Sequence, residues 1–190
     1  MQQRHVTLYL ATFLAAATLV AMVAVPASAQ TPAVDVSGRY QAIADYSIDK
    51  TFANGWSTDA AIYITSKWSA VGEVGGSYRS NGELDVALAL HTLGGGARWS
   101  PWRTPRLVPF AQFLLGLARM SSTATIGAGE IRVSQTKFMV QPAGGVTIAV
   151  GKSWGITSQL GYRRIFLDGD QDGDTGFNEI TASTGVLFGF

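Results

Sequence analysis

From residue 34 to the end of the chain side chains alternate with period two, and most charges within such runs keep to the parity opposite the large apolar residues. Asp35, Arg39 and Asp45 alternate against Val34, Val36, Tyr40, Ala42 and Tyr46. Asp59 stands against Ile62 and Ile64, Glu73 against Val74 and Tyr78, and Arg98 against Leu93, Ala97 and Trp99. Arg163 is set against Leu160 and Tyr162, and Glu179 against Ile180, Val186 and Phe188. Period two is the periodicity of a strand with two different faces, and no stretch after Gln30 sustains a helical one. The 22 glycines, 11% aromatic and 14% charged residues agree with an all-β chain rather than a helical or disordered one.

Turn-like segments divide the alternation into eight strands, at about 34–46, 55–65, 70–79, 87–99, 107–120, 136–150, 155–167 and 177–190. Eight antiparallel strands of this length are the smallest number that closes into a membrane-spanning barrel. The expected fold is therefore an all-β, eight-stranded, antiparallel up-and-down transmembrane β-barrel. Three connections, 66–69, 100–106 and 151–154, read as short turns, and 47–54, 80–86, 121–135 and 168–176 as mostly longer polar loops. Short periplasmic turns and longer extracellular loops are usual for such barrels. Trp68, Trp99, Trp102 and Trp154 lie at or beside the short turns, where an apolar ring with a polar N–H suits the membrane interface.

An Arg or Lys facing lipid at mid-depth costs about 2 to 4 kcal/mol, so the sorted charges are expected to point into the lumen. There they must pair, and the parity suggests Glu73 with Arg98 and Arg163 with Glu179. Gln41, Gln112, Gln141 and Gln159 share the inward parity, which predicts a lumen filled with side chains and closed to ions. A soluble eight-stranded carrier of lipocalin type would have the reverse sorting, apolar inside and polar outside. Leu88 and Leu90 break parity with Leu93, so a bulge or a later start is expected in the fourth strand. Arg119 and Arg164 fall on the lipid-facing parity near the extracellular ends, where long side chains can reach headgroups and lipopolysaccharide phosphates.

The final residues, Ser183-Thr184-Gly185-Val186-Leu187-Phe188-Gly189-Phe190, combine a polar residue, a glycine and alternating aromatics ending on phenylalanine. This ending resembles the assembly signal of bacterial outer-membrane β-barrels. With it, residues 109–119 are similar to the fifth strand, and the Trp-containing turn before 70–76 to the second hairpin, of stand-alone outer-membrane barrel domains of the OmpA and OmpX type. The resemblance implies an outer-membrane location and recognition by the insertion machinery through Ser183, Gly185, Phe188 and Phe190. It also implies a monomer in contact with outer-membrane lipid and lipopolysaccharide. The chain departs from two-domain members in ending at the barrel, so a cell-wall tethering role does not carry over.

The amino terminus points to the same compartment. Residues 1–29 read as a cleaved signal peptide: a basic start at Arg4 and His5, an apolar run from Val6 to Val25, and Pro26-Ala27-Ser28-Ala29 with small residues where a signal peptidase needs them. Residues 30–190 would form the barrel domain. Removing Arg4 leaves 13 basic against 13 acidic residues, a balance that argues against nucleic acid as a partner. The chain has no cysteine, hence no disulfide, lipoprotein attachment or thiolate metal site.

One motif has the spacing of a metal site. Asp168, Asp170, Asp172 and Asp174, with Gly173 and Glu179, match a calcium-loop pattern of hard oxygens around a glycine turn. No helices flank it, Thr175 replaces an apolar residue, and Glu179 already belongs to the last strand. The context favours a solvated turn, with divalent-ion binding as the alternative. No organic cofactor is indicated. After signal cleavage His91 is the one histidine, and a lipid-modifying barrel enzyme of the lipid A deacylase kind would need it in a Ser-His-acid arrangement. That family's His-x-Ser spacing is missing, since His91-Thr92-Leu93 stands there. The expectation is a non-enzymatic barrel with a structural or surface-interaction role: envelope integrity, adhesion or binding through its loops.

Overall fold

A computed structural model describes residues 34–45, 50–81, 86–126, 129–167 and 176–189. Residues 1–29, expected to be a signal peptide, the aspartates of 168–174 and Phe190 lie outside them. The strands are β1 (Val34–Asp45), β2 (Lys50–Tyr63), β3 (Trp68–Asn81), β4 (Val86–Trp99), β5 (Leu107–Ile126), β6 (Gly129–Ala149), β7 (Trp154–Phe166) and β8 (Gly176–Gly189). Each pairs antiparallel with its neighbour in sequence, and β1 pairs with β8, so the sheet closes. Closure leaves no edge, which matters in hydrocarbon because no water is present to bond an open N–H or C=O.

Of the eight sorted charges, seven have described side chains, and all seven point inward as their parity requires, Asp35 among them. Arg39, Asp59, Glu73, Arg98, Arg163 and Glu179 are buried, as are Gln41, Gln112, Gln141 and Gln159. The outer wall is apolar: Leu93 is 59% exposed, Phe113 50% and Leu160 61%. Such an exterior would be unstable in water and is satisfied only by lipid. A soluble carrier is thereby ruled out, because its two faces would be exchanged.

Tight turns and tryptophans occupy one end. Ile64 and Thr65 donate their backbone N–H groups to the Trp68 carbonyl, and Val150 and Gly151 donate to that of Trp154. Trp68 and Trp99 place their rings 6.4 Å apart on the outer wall. The other end carries a hairpin that outgrows the barrel. In β5 and β6, 20 and 21 residues long, the ladder runs to Ile126↔Gly129, whereas pairing of β6 with β7 stops at Met139↔Ile165. About ten residues suffice to cross the bilayer, so this hairpin projects beyond it, and the projecting end is the extracellular one.

Two expectations change here. Much of the length assigned to loops is strand, since most of 121–135 and part of 47–54 are ladder. Outside lipid a strand needs no apolar outer row, so Ser121-Ser122-Thr123-Ala124-Thr125 gave no membrane pattern although the β-branched threonines favour a strand. Nor is there a bulge in β4, which runs in unbroken register from Trp68↔Trp99 to Asn81↔Val86. Leu88 and Leu90 keep the inward parity and pack with Ile43, Ala118, Met139 and Ile165 in an apolar layer near the extracellular mouth. The register shift occurs instead between β1 and β2, where Gln41 pairs with Gly55 but Ile43 with Phe52.

The wall gives a direct prediction. Leu115→Arg, in the middle of the exposed row Phe113, Leu115 and Leu117, should destabilise the barrel by about 2 to 4 kcal/mol, whereas Arg119→Leu should change stability by under about 1 kcal/mol. Urea unfolding of the refolded protein in lipid vesicles measures both.

Candidate functional site

A polar chain fills the lumen. Starting from β8, Glu179 Oε2 lies 3.2 Å from Arg163 Nη1, and Arg163 Nε donates to Gln141 Oε1 at 2.7 Å. Gln141 Nε2 donates to Glu73 Oε1 at 2.8 Å, and Glu73 Oε2 accepts from Arg39 Nη2 at 2.6 Å. Arg39 Nη1 is also 2.6 Å from Asp59 Oδ2, which lies 3.1 Å from Arg98 Nη2. Arg98 Nε and Nη2 donate to Gln112 Oε1 at 3.0 and 2.8 Å. These eight residues come one from each of the eight strands. Three guanidinium groups face three carboxylates, so the formal charge of the set is zero.

Side contacts hold the chain in place. Ser37 donates to Asp59, Arg39 Nε to Ser57, and Arg39 Nη1 also to Gln159 at 3.3 Å. Arg98 lies 4.5 Å from the centre of the Phe110 ring. Near the turn end Arg103 lies 4.0 Å over the Tyr63 ring, and Tyr63 Oη donates to the Asp35 carboxylate. Asp59 Oδ1, Gln112 Nε2 and Arg163 Nη2 have no hydrogen-bond partner among the described residues, so the network satisfies most of its polar atoms and not all.

Of the two expected pairs, Arg163 with Glu179 forms and Glu73 with Arg98 does not. Parity and strand adjacency suggested the latter, but register separates them: Glu73 stands opposite Gly94, and Arg98 opposite Ser69. Glu73 reaches across to Arg39, and Arg98 takes Asp59, which joins both halves into one network. Arg39, unassigned to a pair from the sequence, is its centre. Only its inward parity marked it.

Glu179 is engaged with Arg163, and the four aspartates that would accompany it in a calcium site lie outside the described residues. Among the described residues no group of three or more acidic or histidine side chains is arranged to hold a metal ion. His91 sits on the outer wall, with Nε2 3.1 Å from Tyr78 Oη and the two rings edge to face. It shares a recess with Ser121 and Ser134, but the other two lining residues are Arg119 and Arg132, where a triad would need a carboxylate. Of the residues expected to form an assembly signal, Ser183 is buried towards the lumen and Phe188 is half exposed on the belt. A Cβ on Gly185 would collide with the backbone of Gly38 and Arg39, so the glycine is required by the β1–β8 seam itself.

No family model and no curated sequence matches the chain. Solved structures do. Neisserial surface protein A is similar at 17% identity over 83% of this chain and 96% of that one, with a TM-score of 0.59. The attachment invasion locus protein Ail of Yersinia pestis, in complex with the heparin analogue sucrose octasulfate, is 14% identical over 82% and 96%, with a TM-score of 0.54. The N-terminal β-barrel domain of Pseudomonas aeruginosa OprF is 18% identical over 85% and 100%, with a TM-score of 0.52. The fold is that of the small bacterial outer-membrane β-barrels. Together with the lipid-facing belt, it places the chain in the outer membrane.

The network can be tested residue by residue. Arg39→Ala removes the cation shared by Asp59 and Glu73 and should cost about 3 to 5 kcal/mol, because buried Glu73 loses its cationic partner and Asp59 one of its two. Gln112→Ala, at the network's end, removes a neutral group and should cost about 1 to 3 kcal/mol. Urea unfolding in vesicles that gave both variants the same loss would contradict a network centred on Arg39.

Proposed function

We propose that the protein is a closed, non-conducting outer-membrane barrel that acts through its extracellular end as a surface-interaction scaffold. The observation that carries this reading is the charge-neutral chain of eight side chains, one from every strand, lying across the lumen. An eight-stranded barrel has room for its side chains but not for these and a continuous water column. A pore would also need a lining that offers ions a favourable path, whereas these charges are consumed by each other. The projecting β5–β6 hairpin supports an interaction role, because its length exceeds what insertion requires. Ail, a neighbour in fold, is an attachment invasion protein, which fits the same role.

The reading is non-catalytic: among the described residues His91 has two arginines and no carboxylate beside it in its recess. Assembly through Ser183, Gly185, Phe188 and Phe190 by the insertion machinery, after removal of residues 1–29, belongs to the same proposal.

Planar-bilayer recordings of the refolded protein should show no reproducible unit conductance, and stable unitary steps would overturn the closed lumen. Replacing residues 122–133 with a two-residue Asn-Gly turn, which joins the opposed pair Ser121 and Ser134, should leave heat-modifiable migration intact and lower adhesion of expressing cells to a host-cell layer by about an order of magnitude, as expected when the central contacts of an interface are removed. Unchanged adhesion with increased sensitivity to large antibiotics would place the role in envelope integrity instead.

A further inference from the structure

We propose that Arg119 and Arg132, with His91, Ser121 and Ser134, form a docking site on the outer wall for the phosphate of an outer-leaflet glycolipid. The five residues line one recess of about 470 Å³. They come from three adjacent strands, with His91 opposite Arg119 on β4 and β5, and Arg119 opposite Thr136 on β6. Arg132 stands four residues nearer the hairpin tip than Thr136. The recess is lined by two guanidinium groups, an imidazole and two hydroxyls, with no carboxylate among the described residues. Guanidinium groups offer paired N–H donors that match phosphate oxygens, and serine hydroxyls add further donors.

Four other arginines have partners of their own. Arg39, Arg98 and Arg163 are each consumed by carboxylates or amides in the lumen, and Arg103 lies on Tyr63. Arg119 and Arg132 have no hydrogen bond or ion pair with any described residue. Glu130 shares the parity of Arg132 two positions nearer the tip, and its side chain is outside those described. Directly below the recess the wall is apolar, with Leu117, Leu115, Phe113 and Phe138 about half exposed. A ligand for this place has acyl chains to lie on that row and an anionic head at the height of Arg119. Phosphorylated glycolipid has both, whereas free phosphate would use only the upper half. Tyr78 holds the His91 ring at the rim and is itself half exposed at the same level.

The inference rests on the membrane placement of the barrel, which heat-modifiable migration checks separately for every variant. Native mass spectrometry of the full chain in phosphocholine micelles, titrated with bisphosphorylated lipid A, reads the affinity. Arg119→Gln and Arg132→Gln should each weaken binding about fivefold and act together, the effect expected of single cations near an anionic lipid surface. Lys152→Gln, in a periplasmic turn, should leave it unchanged, and dephosphorylated lipid A should bind the unaltered protein as weakly as lipid A binds the double variant. Equal binding of the two lipids, or an unaffected double variant, would overturn the site. So would full competition by inorganic phosphate at millimolar concentration, which would assign the recess to a soluble anion. Glu130→Gln should change affinity less than twofold. A tenfold gain would mean that Arg132 is already neutralised, and the two-arginine site would fall.

Discussion

Hydrocarbon supplies no hydrogen bonds, so a sheet that crosses it must satisfy every backbone N–H and C=O within itself, and only a closed ladder of strands does so. Most features of this chain follow from that requirement. Closure brings β8 back to β1, and the seam demands close approach where Gly185 meets Gly38 and Arg39. It also creates two faces of opposite chemistry. The outer face must be apolar, and the inner face, walled off from lipid, is where a charged side chain can sit at membrane depth.

The inner face then sets a second condition. A buried carboxylate or guanidinium without a partner destabilises a structure by several kcal/mol, so charges inside a narrow barrel have to balance locally. Here they balance in one connected set. Arg39 links two carboxylates, Asp59 links two arginines, and Gln141 joins Arg163 to Glu73 across the lumen. Because each strand contributes one member, the network ties distant staves together in a way that backbone pairing between neighbours alone does not. A hydrophobic filling could be as stable, and such a polar one fixes which side chain meets which.

How much of this was legible in the sequence depends on the kind of information each feature carries. Parity is local, so the inward set from Arg39 to Glu179, the outward row of Phe113, Leu115 and Leu117, and the eight strands could be read from spacing. Partnership is not local. Arg163 and Glu179 meet because they are directly opposite in register, while Glu73 passes over its neighbouring strand to reach Arg39. Leu88 and Leu90 misled because a polar lumen was assumed along its full length, whereas the mouth is packed by apolar residues above the charges. The β5–β6 extension escaped because the membrane pattern ends where the membrane does. Its Ser and Thr residues form strand by continuing a ladder already templated in the bilayer.

The two classes of arginine separate the protein's internal needs from its external ones. Those in the lumen are spent on holding the barrel closed, and substituting them tests stability. Arg119 and Arg132 lie outside, above the belt, where a long cationic side chain is tolerated but contributes nothing to closure. A barrel could place alanine or threonine there at little cost, as β4 does with Ala89 opposite Ser121 and β6 with Thr136 opposite Arg119. Their interest lies in what meets the wall from outside, just as the hairpin above them extends beyond what the membrane requires. Both features mark the extracellular half as the part of the molecule whose chemistry is not exhausted by folding.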